Sequence, residues 1–249
     1  MMVDTHTHLT DDPLAAALED VLARARGCGV TTFIVPGYDL AAVGRARALA
    51  AQHDGVYAAA GIHPLFVRNN APAALAAELA HGGFVALGEI GLDYVDAAAD
   101  RALQQRVLTQ QLMLARAHDM PVILHCRQAH DDLLNILRAH AGVRGVLHSC
   151  SCSHEQVKPF LALGLYVSFS GVVTRANARK ARKLAERVPL DRIVAETDSP
   201  FIGNIRHPAP TSEPADVSAV IAALAALRGM TCADMANLTS ANARRLFGL

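Results

Sequence analysis

An α/β fold of the (β/α)8 TIM-type barrel class, one domain over residues 1–249 with an additional C-terminal helix, is predicted by three observations. Eight short apolar runs alternate strictly with helical stretches. The chain has 249 residues, close to the roughly 250 that such a barrel requires. Polar residues able to do chemistry gather at the C-terminal ends of the apolar runs, the face on which barrels of this kind keep their active sites. Strict βα alternation also suits an open doubly wound sheet, but the count of eight and the length favour closure.

The elements follow in order. Met2–His8 leads to a helix over Pro13–Arg26, opened by Asp12 and Pro13 and stopped by Gly27. Thr31–Pro36 precedes Leu40–His53, which starts after Asp39 and ends before Gly55. Val56–His63 pairs with helix Pro72–Ala80, Phe84–Asp93 with Asp100–His118, and Pro121–Arg127 with Asp131–His140. Gly145–Ser149 is followed by His154–Leu163, Leu165–Val173 by Asn177–Arg187, and Arg192–Asp198 by Asp216–Arg228. Each strand candidate is an apolar run of strand length, several rich in Val and Ile, as buried parallel strands should be. A last helix, Cys232–Phe247, is expected to pack outside the barrel.

Composition narrows the function. With 52% hydrophobic and 18% charged residues there is ample core material and no signature of disorder. The longest apolar stretches, Ala73 to Leu79 and Ser218 to Leu227, fall short of the about 20 residues of a bilayer span. No basic, apolar leader follows Met1, so a cytoplasmic location is expected. Five scattered cysteines argue against a disulfide framework. Cys150 and Cys152 are spaced CxC rather than CxxC; small side chains near a strand end describe them better than a zinc knuckle or redox pair. Lys plus Arg equals Asp plus Glu at 23 each, which argues against a protein that coats duplex DNA but not against an enzyme gripping a few phosphates.

The strand ends carry the chemistry. Strand one ends Asp4-Thr5-His6-Thr7-His8, and residues two apart in a strand face one side, so His6 and His8 point together into the barrel mouth. Strand three ends at His63, strand four carries Glu89, strand five ends His125-Cys126-Arg127, strand six at His148, and strand eight at Glu196-Thr197-Asp198. Any one of these has a plain alternative, a hydrogen-bonded core histidine or a capping acid. Polar groups ending six strands are costly to bury unless paired or coordinated. His53, His81, His118 and His140 fall instead at helix ends, a solvated or dipole-facing place. His207, in the loop after strand eight, is positioned to line the mouth.

His6, His8, His125, His148, Glu89 and Asp198 are the inventory of a two-metal site. Glu89 has two oxygens to share and is the natural bridge. Asp198 serves as both ligand and the base for the attacking water. Imidazoles suit zinc-like ions and carboxylates suit Mg²⁺ or Mn²⁺, so two divalent ions are expected, Mg or Mn with Zn also fitting. Such a pair can stabilise both the attacking and leaving oxygens of a phosphodiester.

The blocks Asp4-Thr5-His6-Thr7-His8, Gly61-Ile62-His63-Pro64, Gly88-Glu89-Ile90-Gly91-Leu92-Asp93-Tyr94, Pro121 to Arg127 and Glu196-Thr197-Asp198-Ser199-Pro200 resemble the TatD-type metal-dependent hydrolases. So do Gln111 to Ala115 and Ser168 to Thr174, and the likeness runs in order from residue 3 to Phe247. The resemblance implies a TIM-type barrel that uses two divalent metals to hydrolyse DNA, as a 3′–5′ exonuclease with single-strand preference. His6, His8, Glu89, His125, His148 and Asp198 match the family's metal ligands. His63 and Arg127 fall where the scissile phosphate would be held, with a salt bridge to a loop acid the alternative for Arg127. DNA ends or single strands are the expected partner, with no membrane association, and the chain is expected to act as a monomer.

Two loops depart from the family pattern. Ser149-Cys150-Ser151-Cys152-Ser153 replaces a Cys-Phe-Ser-Gly run, and Thr211-Ser212-Glu213-Pro214 is the nearest match to an Arg-Asn-Glu-Pro block. Neither touches a proposed ligand; both shape the entrance. Aromatic residues are few, and Tyr94 and Phe201 are the candidates near it, each better read as packing.

Two other functions suit a barrel with such a rim. A two-metal amidohydrolase acting on a small ester, lactone or amide would commonly bridge its metals with a carboxylated lysine on strand four, where this chain has Glu89. A barrel that has become a binding subunit would be expected to have lost a ligand, and none is missing.

Overall fold

A computed structural model describes residues Met1–Leu249. Eight parallel strands follow one another in chain order: β1 (Met2–Asp4), β2 (Val30–Pro36), β3 (Val56–Ala60), β4 (Phe84–Asp93), β5 (Val122–Arg127), β6 (Gly145–Leu147), β7 (Tyr166–Phe169) and β8 (Ile193–Ala195). Past the end of β1 and β8 the two chains stay laced. Thr5 N donates to Ala195 O, Asp198 N to His6 O and His8 N to Ser199 O, at 2.8–3.1 Å. These bonds, with the Thr7–Ser199 bridge, close the barrel.

The helices are α1 (Leu18–Gly27), α2 (Leu40–Gln52), α3 (Pro72–Ala80), α4 (Arg101–Ala117), α5 (His130–Ala139), α6 (His154–Ala162), α7 (Arg179–Arg187), α8 (Val217–Arg228) and α9 (Cys232–Phe247). Their starts are local chemistry. Asp39 accepts from Ala42 N at 2.7 Å, Asp100 from Leu103 N at 2.9 Å, and Ser153 forms a reciprocal capping box with Gln156. His53, His81, His118 and His140 are all C-cap residues, where the sequence pattern puts them. The first helix starts later than predicted, at Leu18. Ala15–Ala17 forms a 3-10 turn instead, with no side chain capping its orphaned amides.

Several strands are shorter than expected: β1 stops at Asp4 rather than His8, β3 at Ala60, β7 at Phe169 and β8 at Ala195. The residues beyond β1, β3 and β8 include His6, His8, His63 and Asp198. Ladder geometry is abandoned where the chain turns its side chains into the mouth; Ser149 and Asp198 have φ of 45° and 54°, outside any strand. The ladder bonds around Thr5, Thr7 and Asp198 nonetheless keep His6 and His8 on one side.

One apolar residue from each strand fills the lower barrel: Val3, Ile34, Ala59, Ala86, Ile123, Val146, Tyr166 and Val194. Ala243, Leu246 and Phe247 of α9 pack onto this layer. The last helix therefore does more than lie on the outside; its final turn stoppers the N-terminal end of the barrel. A separate cluster of 49 buried residues fills the shell between strands and helices. With the bottom sealed by apolar side chains, polar groups are confined to the top. No single helix is long and apolar enough to cross a membrane.

Candidate metal centre

Six strand ends deliver the predicted residues to one place. His6 Nε2 lies 3.2 Å from His8 Nε2, 3.3 Å from Glu89 Oε2 and 3.7 Å from Asp198 Oδ1, and His8 Nε2 lies 3.4 Å from the same Asp198 oxygen. On the other side of Glu89, Oε1 lies 2.8 Å from His148 Nε2, 2.9 Å from His125 Nδ1 and 3.5 Å from His63 Nε2. Glu89 thus divides its two oxygens between two donor groups. Its own backbone is held by Glu89 N donating to Gly37 O at 3.0 Å.

The donor atoms fit divalent ions. Around an ion with bonds of about 2.1 Å, tetrahedral donors stand about 3.4 Å apart, which is the spacing of the first group. Between neutral rings the His6 and His8 Nε2 atoms, 3.2 Å apart, can share one hydrogen; with both Nε2 atoms unprotonated, both lone pairs are free for an ion. Sets of three donors close enough to hold one ion are His6, His8 and Asp198; His6, Glu89 and His148; and His63, Glu89 and His125.

The outer nitrogens decide which inner ones are free. His125 Nε2 faces Asp93 Oδ2 at 3.0 Å, so its proton sits there and Nδ1 keeps its lone pair for the centre. His148 Nδ1 faces Glu196 Oε1 at 3.4 Å and His8 Nδ1 faces Asp11 Oδ2 at 3.5 Å, the same arrangement with looser alignment. His63 is built the other way round. Its Nδ1 accepts from Leu65 N at 3.2 Å, so in the neutral ring Nε2 carries the hydrogen and is a donor. Burial pushes the His63 imidazole down to about 3, against the opposing pull of Glu89, so the ring is neutral at physiological pH. His63 reaches the site as an N–H group, not as a lone pair.

The electrostatics follow from burying acids among imidazoles. Burial alone would raise Glu89, but the positive charge of His148, helped by the hydrogen bond from His125, holds it well below the usual carboxylate range. Burial pulls His8 down, yet hydrogen bonds to Asp11 and Asp198 reverse this and push it up to about 9. Asp198 is likewise held down against its burial, chiefly by the hydrogen bond from His8.

Three carboxylates in supporting roles carry no sign in spacing alone. Asp93 and Glu196 lie within the family-like blocks, so their motif membership was the available signal; Asp11 lies in no block. Gln104 and Gln111 are a further pair, seven apart on one face of α4. Gln111 brackets Ile62, accepting from its N–H at 2.8 Å and donating to its carbonyl at 3.0 Å; Gln104 does the same to Asp93 at 2.9 and 3.0 Å. α4 therefore clamps the backbone beside His63 and at Asp93. Gly91 solves a local crowding problem: its φ is +148°, and a Cβ there would lie 1.9 Å from His125 O.

The mouth is a cavity of about 720 Å³, lined among others by His125, Arg127, His148, Lys180, Asp198 and Phe201. The Arg127 side chain is 60% exposed and stands 3.8 Å from Asp93 Oδ2, so it reaches the cavity and faces an acid at once. Phe201 is 58% exposed and meets the His8 ring edge-on at 4.8 Å, which makes it a mouth residue rather than packing. Tyr94 is buried, its hydroxyl 2.9 Å from Asp132, and is packing. His207 lies outside the cavity lining and pairs with Asp216 at 2.7 Å. It is held there because Asn204 accepts from its backbone N–H at 2.9 Å and fixes the loop.

A parallel barrel with two abutting imidazole–carboxylate groups at its C-terminal face, sharing one glutamate, defines a metal-dependent hydrolase. Residues 3–248 match the family described as TatD related DNase. The chain is 35% identical to the uncharacterized metal-dependent hydrolase YabD of Bacillus subtilis, covering 99% of each chain. It is 32% identical to the 3'-5' ssDNA/RNA exonuclease TatD of Erwinia tasmaniensis, over the whole of both. The crystal structure of YJJV, a TatD homolog from Escherichia coli, superposes with a TM-score of 0.94 at 32% identity, covering 100% of this chain and 98% of that one. The chain belongs to the TatD family of metal-dependent hydrolases.

Proposed function

We propose that this protein is a deoxyribonuclease that hydrolyses DNA phosphodiesters from the 3′ end, with preference for single strands, using two divalent ions, Mg²⁺ or Mn²⁺ in the first instance and Zn²⁺ as a fitting substitute. The observation that carries the reading is the division of Glu89 between two donor groups on the floor of an open cavity. The relative named as a 3'-5' ssDNA/RNA exonuclease supports the substrate class.

In this reading His6, His8 and Asp198 would hold one ion and His125 and His148 the other, with Glu89 offering one oxygen to each group. The ions supply positive charge for the attacking and leaving oxygens. Asp198, ionised through its contact with His8, orients the attacking water and accepts its proton. The neutral His63 donates its Nε2 hydrogen to a phosphate oxygen. Arg127 adds a charged donor at the rim and Lys180 a second cation further out. Phe201 presents an exposed ring on which a base at the strand end can stack. The chain works as a monomer in the cytoplasm.

The test is incubation of purified protein with single- and double-stranded DNA labelled at either end, with Mg²⁺, Mn²⁺, Zn²⁺ or chelator, beside a chromogenic carboxylic ester. Stepwise shortening of 3′ ends on single strands, abolished by chelator, is expected. Hydrolysis of the ester with no attack on DNA would replace this reading by the small-ester hydrolase.

A further inference from the structure

The loop after β6 departs from the family pattern through Cys150 and Cys152, and the fold gives these thiols a setting that the phosphodiester chemistry does not use. Cys150 Sγ and Cys152 Sγ are 3.4 Å apart. Both line the mouth cavity together with Cys126 and His130, and both are partly exposed to it. One partner is anchored: Cys150 N donates to Ser168 O at 3.0 Å, and Ser149 N before it to Glu196 Oε1 at 2.6 Å. The other stands just ahead of Ser153, the N-cap of α6, where the helix dipole favours a negative charge. The imidazole of His130, the first residue of α5, faces both Cys152 and Cys126.

A soft-metal site is the rival use of three thiols and an imidazole. Donors for one ion must converge, and no set of three close enough to do so includes a cysteine. What does converge is one pair of sulfurs, in contact and open to solutes. That is the arrangement of a reactive thiol beside its resolving partner.

We propose that Cys152 and Cys150 are a peroxide-reactive thiol pair that closes to a disulfide on the wall of the mouth cavity. The Cys152 thiolate attacks one oxygen of a hydroperoxide; the S–O bond forms, the O–O bond breaks, and the leaving alkoxide takes up the thiol's proton as an alcohol. Cys150 then attacks the sulfenic sulfur; the S–S bond forms, the S–O bond breaks, and water leaves with the second proton. Two thiols and one hydroperoxide give one disulfide, one alcohol and one water, the two sulfurs supplying the two electrons. The Cys152 thiol is drawn down to about 5, first by the hydrogen bond from Cys150 and also by His130, against the effect of burial, which supplies the thiolate. Cys28 and Cys232, exposed elsewhere, have no such partner and serve as internal controls.

This chemistry stands apart from the nuclease reading, so its test counts thiols rather than turnover. The full-length protein with Mg²⁺ is treated with hydrogen peroxide at neutral pH, quenched by alkylation, and digested with trypsin. Residues 145–175, flanked by Arg144 and Arg175 with Lys158 protected by Pro159, are released as one peptide. That peptide is expected to lose two hydrogens and two alkylation sites before Cys28 or Cys232 reacts. Cys152→Ser should slow the oxidation of residue 150 by about an order of magnitude. Cys150→Ser should stop at a Cys152 sulfenic acid, trapped by a 1,3-diketone, a result that stands even if the first variant does not fold. The proposal is overturned if the peptide keeps both thiols while Cys28 oxidises, or if Cys152→Ser reacts at the wild-type rate. A bond from Cys152 to Cys126 or to a second chain would overturn it equally.

Discussion

Replacing Asp93 by Asn removes one charge and no volume, and the structure sets out what must fail. Asp93 Oδ1 accepts from Val95 N at 3.0 Å and Oδ2 faces His125 Nε2 at 3.0 Å, so both oxygens are needed as acceptors. Asparagine has one. If its oxygen stays on Val95, its amide hydrogens face the His125 Nε2 proton, and the ring relieves the clash by moving that proton to Nδ1. That is the atom 2.9 Å from Glu89, and a protonated Nδ1 has no lone pair to give a metal. If the oxygen turns to His125 instead, the Val95 amide loses its side-chain acceptor. Either way a hydrogen bond to a charged acceptor is lost, about 1.5–3 kcal/mol. This agrees with the 10–100-fold loss typical when a partner behind a ligating histidine is removed. The assay is metal binding by competition with a chelating dye, reading affinity and stoichiometry, repeated in a His125→Gln background. Weakening of one of two sites by 10–100-fold is expected, with no further loss in the double variant. Wild-type affinity in Asp93→Asn, or an equal additional loss on top of His125→Gln, would show that Asp93 does not act through His125.

Other outcomes follow from the same geometry. The double change His6→Ala and His8→Ala is expected to abolish nuclease activity while the circular dichroism spectrum is kept; wild-type turnover would remove the metal mechanism. Asp198→Asn is expected to lower kcat by about 10²–10⁴-fold with much of the metal still bound, checked by single-turnover kinetics and metal analysis on one preparation. Metal binding should release protons. His8, pushed up to about 9, carries a proton at pH 7 that the ion must displace, so affinity should rise by about tenfold per pH unit for each proton displaced, up to about pH 9. Calorimetry in buffers of different ionisation enthalpy measures this release, and a pH-independent affinity would contradict it. Phe247→Ala, at the stoppered end of the barrel, should cost about 3–5 kcal/mol in chemical denaturation while leaving metal stoichiometry unchanged.

Much of the site was legible because strand periodicity and strand order are properties of sequence. His6 and His8, two apart, had to share a side, and the blocks around Glu89 and Asp198 named their own strands. The extents of the strands were less legible. β1, β3 and β8 stop early because the barrel ladder ends where side chains are delivered inward, and apolar runs do not show where hydrogen bonding ceases. Phe201 stands at the mouth, not in packing, because the loop after β8 turns its ring over His8, and the path of that loop is not encoded in its local pattern.

From the chain alone came eight βα units, a polar end and an apolar end, and the six groups with affinity for cations, since these depend on residue type and periods of two and 3.6. Only the folded barrel decided which nitrogen of each histidine faces inward. The supporting partners, Asp93 behind His125 and Leu65 N–H on His63, come from different strands and turns, and a tautomer is set by contact in space. The same holds for α9, whose Phe247 reaches the floor of a barrel begun at Met2, and for Cys150 and Cys152. A CxC spacing permits many separations, and it is the bond from Cys150 N to β7 and the start of α6 that bring the two sulfurs into touch.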